Sequence, residues 1–174
     1  QHREAADLRN VHGRHDDPAS QLRVRRSRAD AQGISHVRFD QYYRGLPVFE
    51  GEAIAHVDGA GNVTVTNGLR GNLNLDPTPR VNRNAAINTA VRSISPLGSY
   101  EVGGASLVIL PRGERSLVDR VAWRVAVKVE NEFEDPAEWQ YFIDARTGDV
   151  AFSFNGLETA GAAGTANTMY SGTG

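Results

Sequence analysis

The nine residues Val121 to Val129, VAWRVAVKV, set Val121, Trp123, Val125, Val127 and Val129 against Ala122, Arg124, Ala126 and Lys128. A strict two-residue period with large apolar side chains on one side describes a strand with one face in a core. Once that segment is a strand, its neighbours must supply a sheet. WQYFIDA at 139–145 and VAFSF at 150–154 follow it, separated from each other by the turn RTGD, and SLVIL at 106–110 precedes it. Upstream, Ile87, Ala90, Val91 and Ile94 recur at helical spacing behind Asn82 or Asn84, either of which can cap the helix, and Pro96 stops it. The second half therefore reads as one helix and four strands, with the helix laid over one face of an antiparallel sheet.

The first half shows the same period in shorter pieces. QLRVRRSR at 21–28 alternates briefly. ISHVRFDQYY at 34–43 puts Val37, Phe39, Gln41 and Tyr43 on one face. RGLP reverses the chain into VFEGEAIAHV, and DGAGN reverses it again into VTVTNG. Four consecutive strands predict an antiparallel meander. Between the halves, RGNLNLDPTPR at 70–80 combines prolines, glycines and asparagines without a core pattern, which marks a boundary. The expected organisation is a lead-in over 1–19, a module over 20–70, a linker over 71–80, a second module over 81–155 and a small, polar, glycine-rich tail over 156–174.

Composition removes several chemistries. The chain has no cysteine, so disulfides, thiolate nucleophiles and cysteine-bound zinc are excluded. Its 19 Lys+Arg against 21 Asp+Glu give a formal charge of -2, too little for a global field that would gather nucleic acid or an anionic membrane. No apolar run approaches the roughly 20 residues needed to cross a bilayer. HExxH, GxxxxGK[ST], GxSxG and GxGxxG are all absent from the sequence.

Individual residues carry little chemistry on their own. His12, His15, Asp16 and Asp17 are ligand types in a breaker-rich segment that lacks a scaffold, so a solvated terminus is favoured over a metal site. Asp144, in DARTGD, could serve as an acid, but Asp before Thr-Gly commonly accepts backbone N–H groups within its turn. A small hydrolase using Asp144 and His36 has no third partner. Trp123 belongs with the valines of its strand. His36, Arg38, Asp40 and Tyr42 alternate with Val37 and Phe39, and the solvent face of a sheet explains them more simply than a protein-binding row does.

HVRFDQYYRGLPVFEGEAIAHVDGAGNV, taken whole, resembles the N-terminal propeptide module (FTP) of secreted thermolysin-like and fungalysin-like zinc metallopeptidases. The resemblance rests on His36, Arg38, Gln41, Tyr43, Gly45, Pro47 and Val48. The second half is similar to the PepSY module of the same precursors, through the helix, Trp123-x-Val125, and the run from Trp139 through Asp144 to Val150. GTANTMYSGTG resembles the first residues of a mature peptidase of this kind.

The resemblance implies an α+β fold of two small cystatin-like or PepSY-like modules, each an antiparallel sheet, the second with a helix on one face. It implies a secreted, non-catalytic pro-region that assists folding of a peptidase domain and inhibits it until cleaved. The partner would be the cognate thermolysin-like catalytic domain, not nucleic acid or membrane. This chain would hold no cofactor, zinc and calcium being expected in the partner. The implied partner-binding residues are His36, Arg38, Gln41, Tyr43, Gly45, Pro47, Val48, Trp139 and Asp144. The implied cleft and cleavage segment is Asn155, Gly156, Leu157, Glu158, Thr159, Ala160, Gly161 and Ala162, with Glu158 the candidate to touch the partner's zinc. Gly156–Leu157, Thr159–Ala160 and Gly161–Ala162 are candidate bonds. The alternative is a stand-alone secreted or periplasmic PepSY-type binding module.

Overall fold

The computed structural model describes residues 19–94, 99–130 and 136–157. The strands are β1 (Ser20–Ala29), β2 (Ser35–Tyr43), β3 (Leu46–Val57), β4 (Val63–Asn67), β5 (Ser99–Leu110), β6 (Arg120–Glu130), β7 (Ala137–Asp144) and β8 (Val150–Asn155), with helix α1 (Arg83–Ile94) between β4 and β5. The fold is α+β and mostly antiparallel. Two compact units share it. Of the described residues, the first holds those up to Pro77 together with Val108–Arg120, and the second holds those from Thr78 to Leu107 and those from Val121 onward. The segment Val108–Arg120 thus lies with the first unit, between two parts of the second.

In the first unit β1, β2, β3 and β4 form the expected meander, each antiparallel to the next. Alternation decides which side is in. Leu22, Val37, Phe39, Ala53 and Ala55 are buried together, with Val63, Val65 and Leu69 packed against them. Both long reversals start from an aspartate whose carboxylate organises the turn. Asp30 Oδ1 accepts from the N–H groups of Gln32 and Ile34, and Asp58 Oδ1 accepts from those of Ala60 and Asn62.

The β2–β3 reversal is tighter. Tyr43 pairs with Leu46 across the two residues Arg44 and Gly45, whose φ values are 46° and 86°. Two successive positive φ angles define the type I′ turn that suits the right-handed twist of a hairpin, and glycine takes the second at no steric cost. Just beyond it β3 bulges. Asp40 pairs with Glu52 and Tyr42 with Pro47, so 48–51 stand opposite Gln41 alone, with Glu50 at φ 54°. The excursion lets Val48 make a parallel bridge to Ile109, a pairing the meander does not predict.

In the second unit Asn82 caps α1, its Oδ1 accepting from the Ala85 N–H at 2.9 Å. Ala86 and Ala90 are the buried helix residues and pack on Val125, Val127, Tyr141 and Ile143, flanked by Ile87, Ile94 and Trp123. Small residues on that line let the helix approach the sheet closely. The indole N–H of Trp123 donates to the Val81 carbonyl at 2.8 Å, which fixes the segment leading into α1. β5 begins earlier than its apolar run, at Ser99, and passes Gly103, where a Cβ would lie 3.4 Å from that of Ala126.

The stretch expected as a linker is irregular and tethered. Leu73 is buried, and the N–H groups of Arg80 and Val81 both donate to the Ala145 carbonyl at 2.8 Å. The division between units falls inside it, between Pro77 and Thr78.

Candidate functional site

The residues that carry the resemblance separate into an inner and an outer set on β2. Gln41 and Tyr43 point inward and are at most 1% exposed, and Val48 is buried as well. Two-residue periodicity turns Gln41 and Tyr43 into the module, where Val48 is buried too. Gln41 Oε1 accepts the Arg70 N–H and its Nε2 donates to the Arg70 carbonyl, each at 2.8 Å. One side-chain amide thus does for residue 70 what a neighbouring strand would do. The Tyr43 hydroxyl accepts from the Leu75 N–H at 3.4 Å. Together they moor the irregular chain after β4. Gly45 supplies the turn, and Pro47 lies half-buried where the register breaks.

The outer set is different. His36 and Arg38 lie on the outer face of β2 with side chains about 37% and 44% exposed. His36 stands opposite His56 of β3, a residue the sequence reading passed over. Their Nδ1 atoms are 2.8 Å apart and the rings meet edge to face. His36 Nε2 is 2.8 Å from Asp30 Oδ2, and His56 Nε2 is 3.3 Å from the Thr66 hydroxyl. The anionic Asp30 requires a proton on His36 Nε2, so in the neutral pair His56 Nδ1–H donates to His36 Nδ1. One added proton keeps the chain of bonds intact, because His36 then donates at both nitrogens. A second would set two N–H groups head to head. Hairpin register alone could have identified His56, since the turn that pairs 43 with 46 fixes the strand against β2, although the bulge shifts the count.

Around this pair the outer face is cationic. Arg25, Arg26, Arg28 and Arg38 join the two histidines around Ile54 to form an open groove of about 520 Å³. Arg25 is held by Asp40, through both Oδ2 at 2.8 Å and Oδ1, and lies 3.6 Å from Glu52. Arg38 reaches Glu52 at 3.4 Å. The carboxyl of Asp30 is held below its ordinary range, first by the hydrogen bond with His36 and then by the N–H of Ile34.

In the second unit, Asp144 is buried, and its Oδ1 accepts from the N–H groups of Arg146 and Thr147 at 2.8 and 3.2 Å. Its carboxylate faces its own turn, the role that Asp before Thr-Gly commonly takes. Trp139 is half-buried against the α1 cluster and tilted on Tyr141 at 5.9 Å. Asn155 Oδ1 accepts from the N–H groups of Glu138 and Leu157, and Leu157 is 47% exposed. Glu158, Thr159, Ala160, Gly161 and Ala162 lie outside the described residues, as do His12, His15, Asp16 and Asp17. Among the described residues no three His, Cys, Asp or Glu side chains gather to hold a metal, and no helix is long and apolar enough to cross a membrane.

Comparison with known proteins gives this arrangement its class. Residues 20–68, the span of β1 through β4, match the Fungalysin/Thermolysin Propeptide Motif. The chain is 29% identical over 164 residues to bacillolysin of Bacillus subtilis (strain 168), covering 88% of this chain and 30% of that protein. It is 29% identical over 140 residues to thermolysin of Alicyclobacillus acidocaldarius subsp. acidocaldarius, covering 75% of this chain and 25% of that protein. Among solved structures, the Bacillus megaterium YpeB C-terminal domain aligns over 87% of this chain and 62% of that one, with 11% identity and a TM-score of 0.39.

The first unit therefore carries a fungalysin/thermolysin propeptide motif, the mark of a non-catalytic region of thermolysin-like proteases. More particularly, the chain is homologous to the N-terminal regions of bacillolysin and thermolysin, and spans 30% and 25% of their respective lengths.

Proposed function

We propose that this chain acts as the pro-region of a secreted thermolysin-like metallopeptidase, assisting the folding of the catalytic domain and inhibiting it until it is cleaved away. The observation that carries the reading is the propeptide motif on residues 20–68, joined to a similarity that falls in the N-terminal part of peptidase precursors. Zinc and calcium in such a system belong to the catalytic domain.

The physics of the role asks for no reacting group in this chain. A partner that binds only the folded enzyme stabilises it by mass action, and a template that favours its transition state speeds a topology rich in non-local contacts. Inhibition needs an extended segment laid along the cleft, with main-chain bonds giving affinity and side chains giving register. The segment proposed for this is the end of β8, from Phe152 through Asn155, with Gly156 and Leu157 beyond it and the chain on toward 164. The second unit, by its helix and its Trp123 and Trp139 strands, is proposed as the PepSY-type module.

Steady-state assay of the cognate mature peptidase titrated with the purified chain tests the reading. Inhibition at micromolar concentration, relieved when the chain is proteolysed, is the expected result. Full activity throughout the titration contradicts it.

A further inference from the structure

We infer that the outer face of β1 and β2 is a docking strip for an acidic, extended polypeptide segment, whose alternate carboxylates pair with Arg26 and Arg28. This inference rests on the pro-region reading in taking that segment to belong to the peptidase domain.

The argument begins with a bulge. The β1–β2 register shifts between Val24 and Arg26, so Arg25 is an extra residue and the sequence RVRRSR places Arg25, Arg26 and Arg28 around one groove. One of these cations then faces another. Arg26 pairs across the ladder with Arg38, and Arg28 with His36. Like charges directly opposite one another on a sheet are destabilising. The nearby described acids go to other groups, Asp40 to Arg25, Glu52 to Arg25 and Arg38, and Asp30 to His36. Arg26 and Arg28 form no ion pair with a described residue, and both are exposed. A chain of formal charge -2 has thus gathered on one face a positive strip in which no described carboxylate pairs with Arg26 or Arg28.

The occupant follows from shape and charge. Among the described residues β1 pairs with β2 alone, so its other side is an edge whose N–H and C=O groups can accept another strand. Residues two apart on a strand repeat at about 6.7 Å, so Arg26 and Arg28 match alternate acidic side chains of an extended ligand. Charged side chains also guard an edge against unwanted pairing. That role accounts for Arg26 and Arg28 as edge charges, but it gives no reason for Arg26 to stand directly opposite Arg38.

The test titrates the intact ¹⁵N-labelled chain at low salt with a ten-residue peptide of alternating Glu and Thr. Shifts confined to β1 and the outer positions of β2 are expected, with affinity falling as salt is raised. R26E/R28E, with exposed side chains and an otherwise unchanged spectrum, should weaken binding at least about tenfold, since each reversal replaces an attraction with a repulsion. No shifts, equal affinity of the variant, or tighter binding of a DNA duplex or of anionic vesicles at the same residues would overturn the inference. A second arm measures the complex with the cognate catalytic domain. If the wild-type chain binds and R26E/R28E binds equally well, the strip is wrong and the pro-region reading stands. If the peptide binds but the catalytic domain does not, the pro-region reading fails and the acidic-segment site remains.

Discussion

Both ends of the Gln41 side-chain amide are bonded to the backbone of Arg70, one accepting its N–H and the other donating to its carbonyl, each at 2.8 Å. The two residues are 29 positions apart, and the bond closes the chain around the core of the first unit. Gln41→Ala should leave both backbone groups of Arg70 without their partner. At about 1–3 kcal/mol for each fully buried group left unsatisfied, and with both Arg70 groups only part-buried, urea titration should show a loss of about 2–4 kcal/mol in the first unit, toward the lower part of the roughly 2–6 kcal/mol that full burial would give, with β6–β8 unaffected.

Gly51 exists for the same amide. A Cβ there would stand 2.8 Å from Gln41 Oε1 and 2.9 Å from Val48 Cβ. Gly51→Ala should destabilise by about 1–3 kcal/mol through overpacking. Because the clash is shared with Gln41, the double variant with Gln41→Ala should be less damaged than the sum of the singles, a coupling a double-mutant cycle reads directly.

Asp30 predicts an acid-sensitive hairpin turn. Its folded-state pKa is lowered from the ordinary 3.8, chiefly by the His36 hydrogen bond. A depressed carboxyl contributes stability that is fully present above its unfolded value and is lost as pH falls through its folded value. The turn should therefore weaken below about pH 3.8. Asp30→Asn should remove the dependence in that window, and His36→Ala should move the Asp30 carboxyl titration upward by NMR.

Trp123 makes a comparable tie in the second unit. Trp123→Phe keeps an aromatic ring but loses the donor to the Val81 carbonyl. A loss of about 1–2 kcal/mol is expected, and faster amide exchange over the first turn of α1 should accompany it.

What the sequence made legible was set by short-range periodicity. Alternation located β2 and β6 to within a residue or two, and assigned Val37, Phe39, Gln41 and Tyr43 to one face. The fate of Gln41 was not legible, because a polar residue on an inward face is resolved only by its partner, and that partner lies in the irregular stretch after β4. The same reason hid the tethering of 71–80. Bulges escaped too. The four residues 48–51 opposite Gln41, and the extra Arg25, interrupt register without interrupting composition. β5 was seen only from its apolar end, since Gly103 and Gly104 obscure a strand that begins at Ser99. Of the outer face, His36 and Arg38 were identified, whereas His56, Arg26 and Arg28 were not, because their significance lies in what stands across the ladder.

The central claim is that a folded, unreactive pro-region acts on a separate catalytic domain. It is tested most directly by refolding the denatured cognate catalytic domain with and without this chain, then following recovered peptidase activity. The account predicts faster and more complete recovery with the wild-type chain, and a reduced effect with Gln41→Ala, whose first unit is loosened. Equal recovery with and without the chain would contradict it.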